Sequence, residues 1–148
     1  MISISADDHF SIINLNALHF SALDGLDRII NGDPSEIWAD TFTADGLFET
    51  KDTNGNIIFS AQGRPNLIEA HRSFPDISTT RHWINNLLIE PHSLGARCTS
   101  YIIAMNIGIN PASIIRAGTY DDVVVYQDEL WLYKKKVLIL DAASPFAG

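Results

Sequence analysis

The chain has 148 residues, of which 46% are hydrophobic and 19% are charged, and it carries a formal net charge of −8. This length and composition predict one folded domain over residues 1–148, with enough apolar side chains for a hydrophobic core. The negative charge argues against a nucleic acid partner, whose phosphates would be repelled. No apolar run is long enough to cross a membrane and no secretion signal is present, so we expect a cytoplasmic protein without a membrane partner.

Residue types that often carry chemistry are scarce and scattered. Cys98 is the only cysteine, so no internal disulfide can form, and its apolar neighbours favour a core position over a reactive thiol. No spacing of histidine, cysteine and carboxylate residues predicts a metal site, and no glycine-rich phosphate loop is present. The lysine run Lys134–Lys136 is expected to be a solvated stretch of strand or turn.

Three helices are predicted in the first half of the chain. Ser5 can cap a helix that runs from about Ala6 to Gly25 and carries an unusually broad apolar stripe. Asp33 stands before a proline at the first position of a second, shorter helix. A third helix opens after Gly63 and closes at Pro75.

The remaining segments are predicted to form an antiparallel sheet, which makes the fold class α+β. A hairpin with an Asn54-Gly55 turn comes between the second and third helices, and alternation typical of strands begins after Thr79. Several strands carry apolar residues on both faces, so the helices must cover one face and something else the other. The predicted strands are Leu47–Thr50, Ile57–Ser60, His82–Glu90, Ala96–Asn106, Ile114–Tyr126 and Leu130–Leu140.

The second apolar face of the sheet predicts a homodimer. If only one face packs on the helices, the other exposes an apolar patch that monomers rarely tolerate. A symmetric pair of subunits is the commonest way to cover such a patch. The last strand carries the pattern most clearly, with Trp131, Tyr133, Val137 and Ile139 on one parity and Leu130, Leu132, Leu138 and Leu140 on the other.

Asp24 and His82 are the residues whose positions suggest chemistry. Asp24 continues the apolar helix row that contains Phe20, and a carboxylate buried there must be paired. Alternatively, the helix ends at Asp24 and the side chain faces solvent or accepts backbone hydrogen bonds. His82 heads a strand, and such a histidine is most often structural. An aspartate partner, however, would fix the ring tautomer that a general base needs.

Several short segments occur in a characteristic order: Ser21–Asp27, Trp38–Gly46, Gly63-Arg64, Thr80–His82, Gly118–Tyr120 and Trp131. In order and spacing they resemble the NTF2-like superfamily, and within it the SnoaL-like and scytalone-dehydratase-like branch, from about Ser5 to Asp141. The resemblance implies a cone-shaped α+β barrel in which three helices close against a bent sheet around an apolar pocket. It also implies a small apolar molecule as the partner.

Members of this branch include dehydratases, dehydrohalogenases, cyclases and isomerases that need no cofactor. In several of them a helix aspartate and the histidine that opens the first long strand form an acid–base pair. The matching positions are Asp24 and His82. The side chains that the resemblance places around the substrate are Phe20, Phe48, Asn86, Tyr101 and Tyr120, although each also fits a structural role.

The sequence departs from scytalone dehydratases at two places. Leu23 stands where they have a tyrosine, and the Ala96–Asn106 strand lacks their second histidine, which leaves Tyr101 as the nearest polar residue. The expected function is a cofactor-independent lyase or isomerase, in which His82 held by Asp24 acts on a small apolar carbonyl or phenolic substrate. The alternatives are a non-catalytic module that binds a small molecule in the same cavity and a purely structural association domain.

Overall fold

The computed structural model describes residues 3–142, and in that range it contains three α-helices and six strands. No helix within it is long and apolar enough to span a membrane. The helices are α1 (Ala6–Leu23), α2 (Pro34–Asp40) and α3 (Arg64–Ser73), with a short 3-10 turn at Ile77–Thr79. The strands are β1 (Phe42–Lys51), β2 (Ile57–Gln62), β3 (Thr80–His92), β4 (Gly95–Asn106), β5 (Ser113–Gln127) and β6 (Leu130–Leu140).

The helices begin and end where local signals in the sequence place them. Ser5 and Asp8 form a capping box at the start of α1, because the Ser5 hydroxyl accepts from the Asp8 N–H at 3.0 Å and the Asp8 carboxylate accepts from the Ser5 N–H at 2.9 Å. Asp33 caps α2 through its side chain. α1 ends at Asp24, because Gly25 takes a φ of 64° that stops the helix.

The strands form one sheet in the order β2-β1-β6-β5-β4-β3. The predicted α+β class and the packing of helices on a sheet are confirmed, but the sheet is mixed rather than antiparallel throughout. β1 and β6 run parallel, whereas the other neighbouring strands run antiparallel. The periodicity of a single strand carries no information about a partner so distant in the chain, which is why the sequence did not indicate this pairing.

The core lies between the helices and the inner face of the sheet. Each pair of neighbouring strands has one register shift, and such bulges bend a sheet and increase its twist. Cys98 is a core residue, as predicted. The large side chains that fill the core are Ile12, Phe20, Trp38, Phe42, Phe48, Leu67, Tyr120, Tyr133 and Leu138.

Lys136 does not belong to a solvated lysine run. It is fully buried, and its Nζ atom lies 2.6 Å from the Asp122 carboxylate and over the rings of Tyr133 and Tyr120 at 4.2 and 4.3 Å. The expectation was wrong because the pairing of β6 with β5 shifts between Tyr133 and Lys135, which makes Lys134 an extra residue and puts Lys136 on the same inner face as Tyr133. Burial raises the pKa of Asp122 to about 6, although Lys136 opposes the shift.

The exposed apolar side chains of the outer sheet face cluster on β3, β4 and β5, whereas the one large apolar side chain exposed on β6 is that of its first residue, Leu130. Trp83, Tyr101, Ile103 and Ile114 are 38–60% exposed and, with Met105, line a groove of about 680 Å³ that we call the outer groove. On part of β6, the apolar side chains of both faces are buried, so this strand does not expose a second apolar face there. Residues buried there are Tyr133, Val137, Leu138 and Leu140.

Candidate active site

The end of α1 and the start of β3 bring Asp24 and His82 into direct contact. The Oδ1 atom of Asp24 lies 2.6 Å from Nδ1 of His82, and its Oδ2 atom accepts a hydrogen bond of 3.1 Å from the His82 backbone N–H. Both side chains are buried, with 4% and 5% of their surfaces exposed. An ionised carboxylate only accepts, so Nδ1 is the donor in this contact, and in a neutral ring Nε2 then carries the lone pair.

Helix geometry explains how a carboxylate reaches this position. Asp24 is the C-cap of α1, and its backbone N–H still donates to the Phe20 carbonyl at 2.9 Å. The side chain therefore stays in register with the buried face of the helix instead of turning toward solvent. The open question from the sequence is thus answered in favour of a buried, paired Asp24.

A small cavity lies beside the imidazole. The Nε2 atom of His82 is buried and has no hydrogen-bond partner among residues 3–142. The cavity measures about 30 Å³, enough for about two waters and much less than a ligand-sized pocket, because core side chains fill most of the interior. Its polar lining is Asp24, Asp76, Thr80, His82 and Arg116, and its apolar lining is Leu23, Phe74, Pro75, Ile77 and Ile115.

Two of the five predicted wall residues lie near the pair. The Phe20 ring centroid is 5.9 Å from that of His82 and 5.5 Å from that of Tyr120, and both Phe20 and Tyr120 are buried. Phe48 is buried elsewhere, against Trp38 at 5.8 Å and Phe59 at 6.0 Å. The structure thus groups Phe20 and Tyr120 with the pair and leaves Phe48 in the aromatic core.

Asn86 and Tyr101 do not line the cavity beside His82. A bulge between Asn85 and Leu88 puts Asn86 at a φ of 55° and exposes it, so the simple alternation from His82 breaks before it reaches this residue. Tyr101 is 58% exposed on the outer face. Both parities of β4 are apolar, so the pattern alone did not show which of them faces the core.

Sequence reasoning missed Arg116. This residue is only 8% exposed, and it lines the same cavity as Asp24 and His82. Burial lowers the pKa of its guanidinium. One signal was available, because Arg116 shares a parity on β5 with Gly118 and Tyr120, and both of these belong to a segment that carries the resemblance. No cluster of three or more histidine, cysteine or acidic residues in the described range is suited to a metal ion.

Comparison of the sequence with models of known protein families identifies the family of this chain. The model of the SnoaL-like domain matches residues 5–136. The chain belongs to the SnoaL-like family. No curated protein matches this SnoaL-like chain significantly.

Solved structures confirm the predicted NTF2-like fold for this SnoaL-like protein. Rv3472 from Mycobacterium tuberculosis, a protein of unknown function, is 25% identical with a TM-score of 0.72 over 90% of this chain and 72% of that one. ActVI-ORFA from Streptomyces coelicolor is 20% identical with a TM-score of 0.73 over 90% and 97%. An NTF2-like protein with a cystatin-like fold from Novosphingobium aromaticivorans is 14% identical with a TM-score of 0.71 over 94% and 85%.

Proposed function

We propose that the protein is a cofactor-independent lyase or isomerase in which His82 removes a proton from a small apolar carbonyl or phenolic substrate. The observation that carries this proposal is the Asp24–His82 contact of 2.6 Å, which leaves the other ring nitrogen of His82 buried beside a cavity. A general base needs a free lone pair, a fixed orientation and a site from which water can be excluded.

The chemistry of the step follows from this arrangement. Nε2 of His82 takes a proton from a C–H bond, and the electron pair moves to a neighbouring carbonyl oxygen or expels a leaving group from the adjacent carbon. Asp24 accepts the Nδ1–H bond throughout and offsets the positive charge of the imidazolium that forms. His82 then returns the proton to another carbon in an isomerisation, or to the leaving group in an elimination.

Access to His82 requires the rim of the cavity to open. The rim is the turn between α3 and β3, where Phe74 and Ile77 are half-buried and Pro75 is exposed. A substrate ring is larger than the present cavity of about 30 Å³, so it enters by displacing these side chains rather than core residues.

A chromogenic elimination probe tests the proposal directly. In 5-nitrobenzisoxazole a base removes the ring C–H proton while the N–O bond breaks, which releases a coloured phenolate without any cofactor. We expect His82→Gln and Asp24→Asn each to lower kcat/KM by about 10²–10⁴-fold. The double variant should be little worse than His82→Gln, since residues that act as one unit are not additive.

The control is Asp27→Asn, which removes an exposed carboxylate three residues from Asp24 and should leave turnover unchanged. Thermal melting of all variants separates loss of chemistry from loss of fold. Full turnover by Asp24→Asn with a normal melting curve, or no turnover above background by the natural sequence, would contradict the proposal. Either result would favour a module that binds a small molecule without acting on it.

A further inference from the structure

Three residues on neighbouring strands form a row across the inner face of the sheet. His82 on β3 pairs with Ala104 on β4, and Ala104 pairs in turn with Arg116 on β5. Directly opposed residues project from the same face, and two strand spacings separate the outer members by about 10 Å. Ala104 is fully buried and has the smallest side chain of the three.

A local irregularity of β5 fixes where Arg116 points. The register on β4 advances by one residue, from Ala104 to Met105, while on β5 it advances by two, from Arg116 to Ile114. Ile115 is therefore the extra residue of a bulge, a device that re-aims the adjacent side chain. The result is a buried guanidinium that lines the same cavity as Asp24 and His82.

From this row we infer that Arg116 binds the substrate oxygen on which negative charge develops when His82 removes the proton. The substrate class is then an apolar ring with a carbonyl or phenol oxygen near the carbon that loses the proton. This inference deepens the proposed function and rests on it, because it names the substrate of the same cavity.

Asp24 and Arg116 offer opposite charges to the two groups that become charged in such a reaction. The His82 ring, which becomes positive when it takes the proton, lies 2.6 Å from the Asp24 carboxylate. After transfer, Asp24 contacts the imidazolium and Arg116 contacts the oxyanion. The planar guanidinium can donate two converging hydrogen bonds to one oxygen, or two parallel hydrogen bonds to two neighbouring oxygens.

A pair of matched ligands isolates the charge on that oxygen. 4-Nitrophenol ionises near neutral pH and reports its ionisation by absorbance, and 4-nitrotoluene has nearly the same shape without an ionisable group. We expect the natural protein to bind the phenolate more tightly and to lower the pH at which the bound phenol ionises. Arg116→Gln should weaken phenolate binding by about 10–100-fold, the range for a lost hydrogen bond to a charge.

Controls separate the charge of Arg116 from its bulk and from net charge. Arg116→Gln should leave 4-nitrotoluene binding nearly unchanged, and Arg116→Lys should retain part of the phenolate affinity. Arg28→Gln removes an exposed positive charge and should have no effect. Undiminished phenolate binding by Arg116→Gln overturns the inference, and so does an equal loss for both ligands in a variant that melts normally.

The same variants distinguish this inference from the proposed function. If phenolate binding depends on Arg116 but 5-nitrobenzisoxazole turnover does not depend on His82, only the base role of His82 fails. If turnover depends on His82 but the affinity for the phenolate does not depend on Arg116, only the oxygen-binding role of Arg116 fails.

Discussion

The thiol of Cys98 illustrates what burial does to a single side chain. Cys98 is 2% exposed on β4, and burial raises its pKa to about 12, with the nearby negative charge of Asp122 acting in the same direction. The reactive form of cysteine is the thiolate, which is therefore both rare and inaccessible in the folded protein.

We predict that iodoacetamide does not label Cys98 in buffer at mildly alkaline pH, whereas it adds one group per chain in concentrated urea. Intact-protein mass spectrometry measures both states. Denatured protein at the same pH is the control for reagent activity. Labelling in buffer at the rate of the unfolded chain would show that Cys98 is not buried in solution.

At the scale of single residues, the sequence predicted the positions of Asp24 and His82 better than it predicted which residues surround them. Asp24 and His82 each stand beside a strong boundary signal, so their places followed from local rules together with the family resemblance. Asn86 and Arg116 both lie next to bulges, at Asn85/Leu88 and Ala104/Met105. A bulge changes which face a side chain occupies, and the hydrophobic pattern does not show it. Alternation therefore put Asn86 on the wrong face and did not identify Arg116 as an inward-facing residue.

A second buried histidine ties α1 to α2 and to the start of β1. His19 donates from Nδ1 to the Thr41 hydroxyl at 2.8 Å and accepts at Nε2 from the indole N–H of Trp38 at 3.2 Å. The Thr41 hydroxyl in turn donates to the Trp38 carbonyl at 2.6 Å, which fixes the neutral tautomer of His19. Burial holds the pKa of His19 well below its ordinary value of 6.5, and Lys136 adds to the effect.

This network predicts a loss of stability in acid. Below about pH 6.5 the unfolded chain binds a proton at His19 that the folded chain excludes, so the free energy of unfolding falls as the pH drops. The contribution is up to about 2 kcal/mol between pH 7 and 5. Urea unfolding across this range, compared with His19→Gln, measures it, because the variant lacks the titration.

The difference between the natural protein and His19→Gln reports on His19 alone, because other groups such as Asp122 titrate in both proteins. Above pH 7 the two stability curves should run parallel. An unchanged pH dependence in a folded His19→Gln variant would mean that His19 accepts its proton without cost in the native state.

Among the elements, those with local signals were predicted well. The capped starts of α1 and α2 and the hairpin turn at Asn54-Gly55 depend on residues a few positions apart, and the structure has them where the sequence predicted them. The parallel β1–β6 pair joins Phe42 to Tyr133, and it is determined by the packing of the whole sheet. A single sequence carries almost no signal for such a contact.

For the whole molecule, the exposed outer groove predicts association. Trp83, Tyr101, Ile103 and Ile114 expose an apolar surface on one sheet face, and a second copy of the chain can cover it symmetrically. We predict a homodimer at micromolar concentration by light scattering. Ile103→Lys should shift the mass to that of a monomer, because the lysine would be buried unpaired at the interface.

The matched control is Leu130→Lys, which changes an exposed leucine at the first residue of β6, outside the outer groove. It should leave the dimer intact. A monomer mass for the natural protein, or equal effects of the two substitutions, would contradict an interface at the outer groove.

The position of β6 has a consequence for how the chain reaches its native state. β6 comes last among the strands in sequence, yet it lies between β1 and β5 and is hydrogen-bonded to both. Until Leu130–Leu140 has left the ribosome, the β1–β2 hairpin and the β3–β5 meander remain separate, each with an unpaired inner edge. Folding must therefore wait for a long-range encounter, which slows it. Meanwhile, the two open edges are the places where nascent chains would pair wrongly with one another.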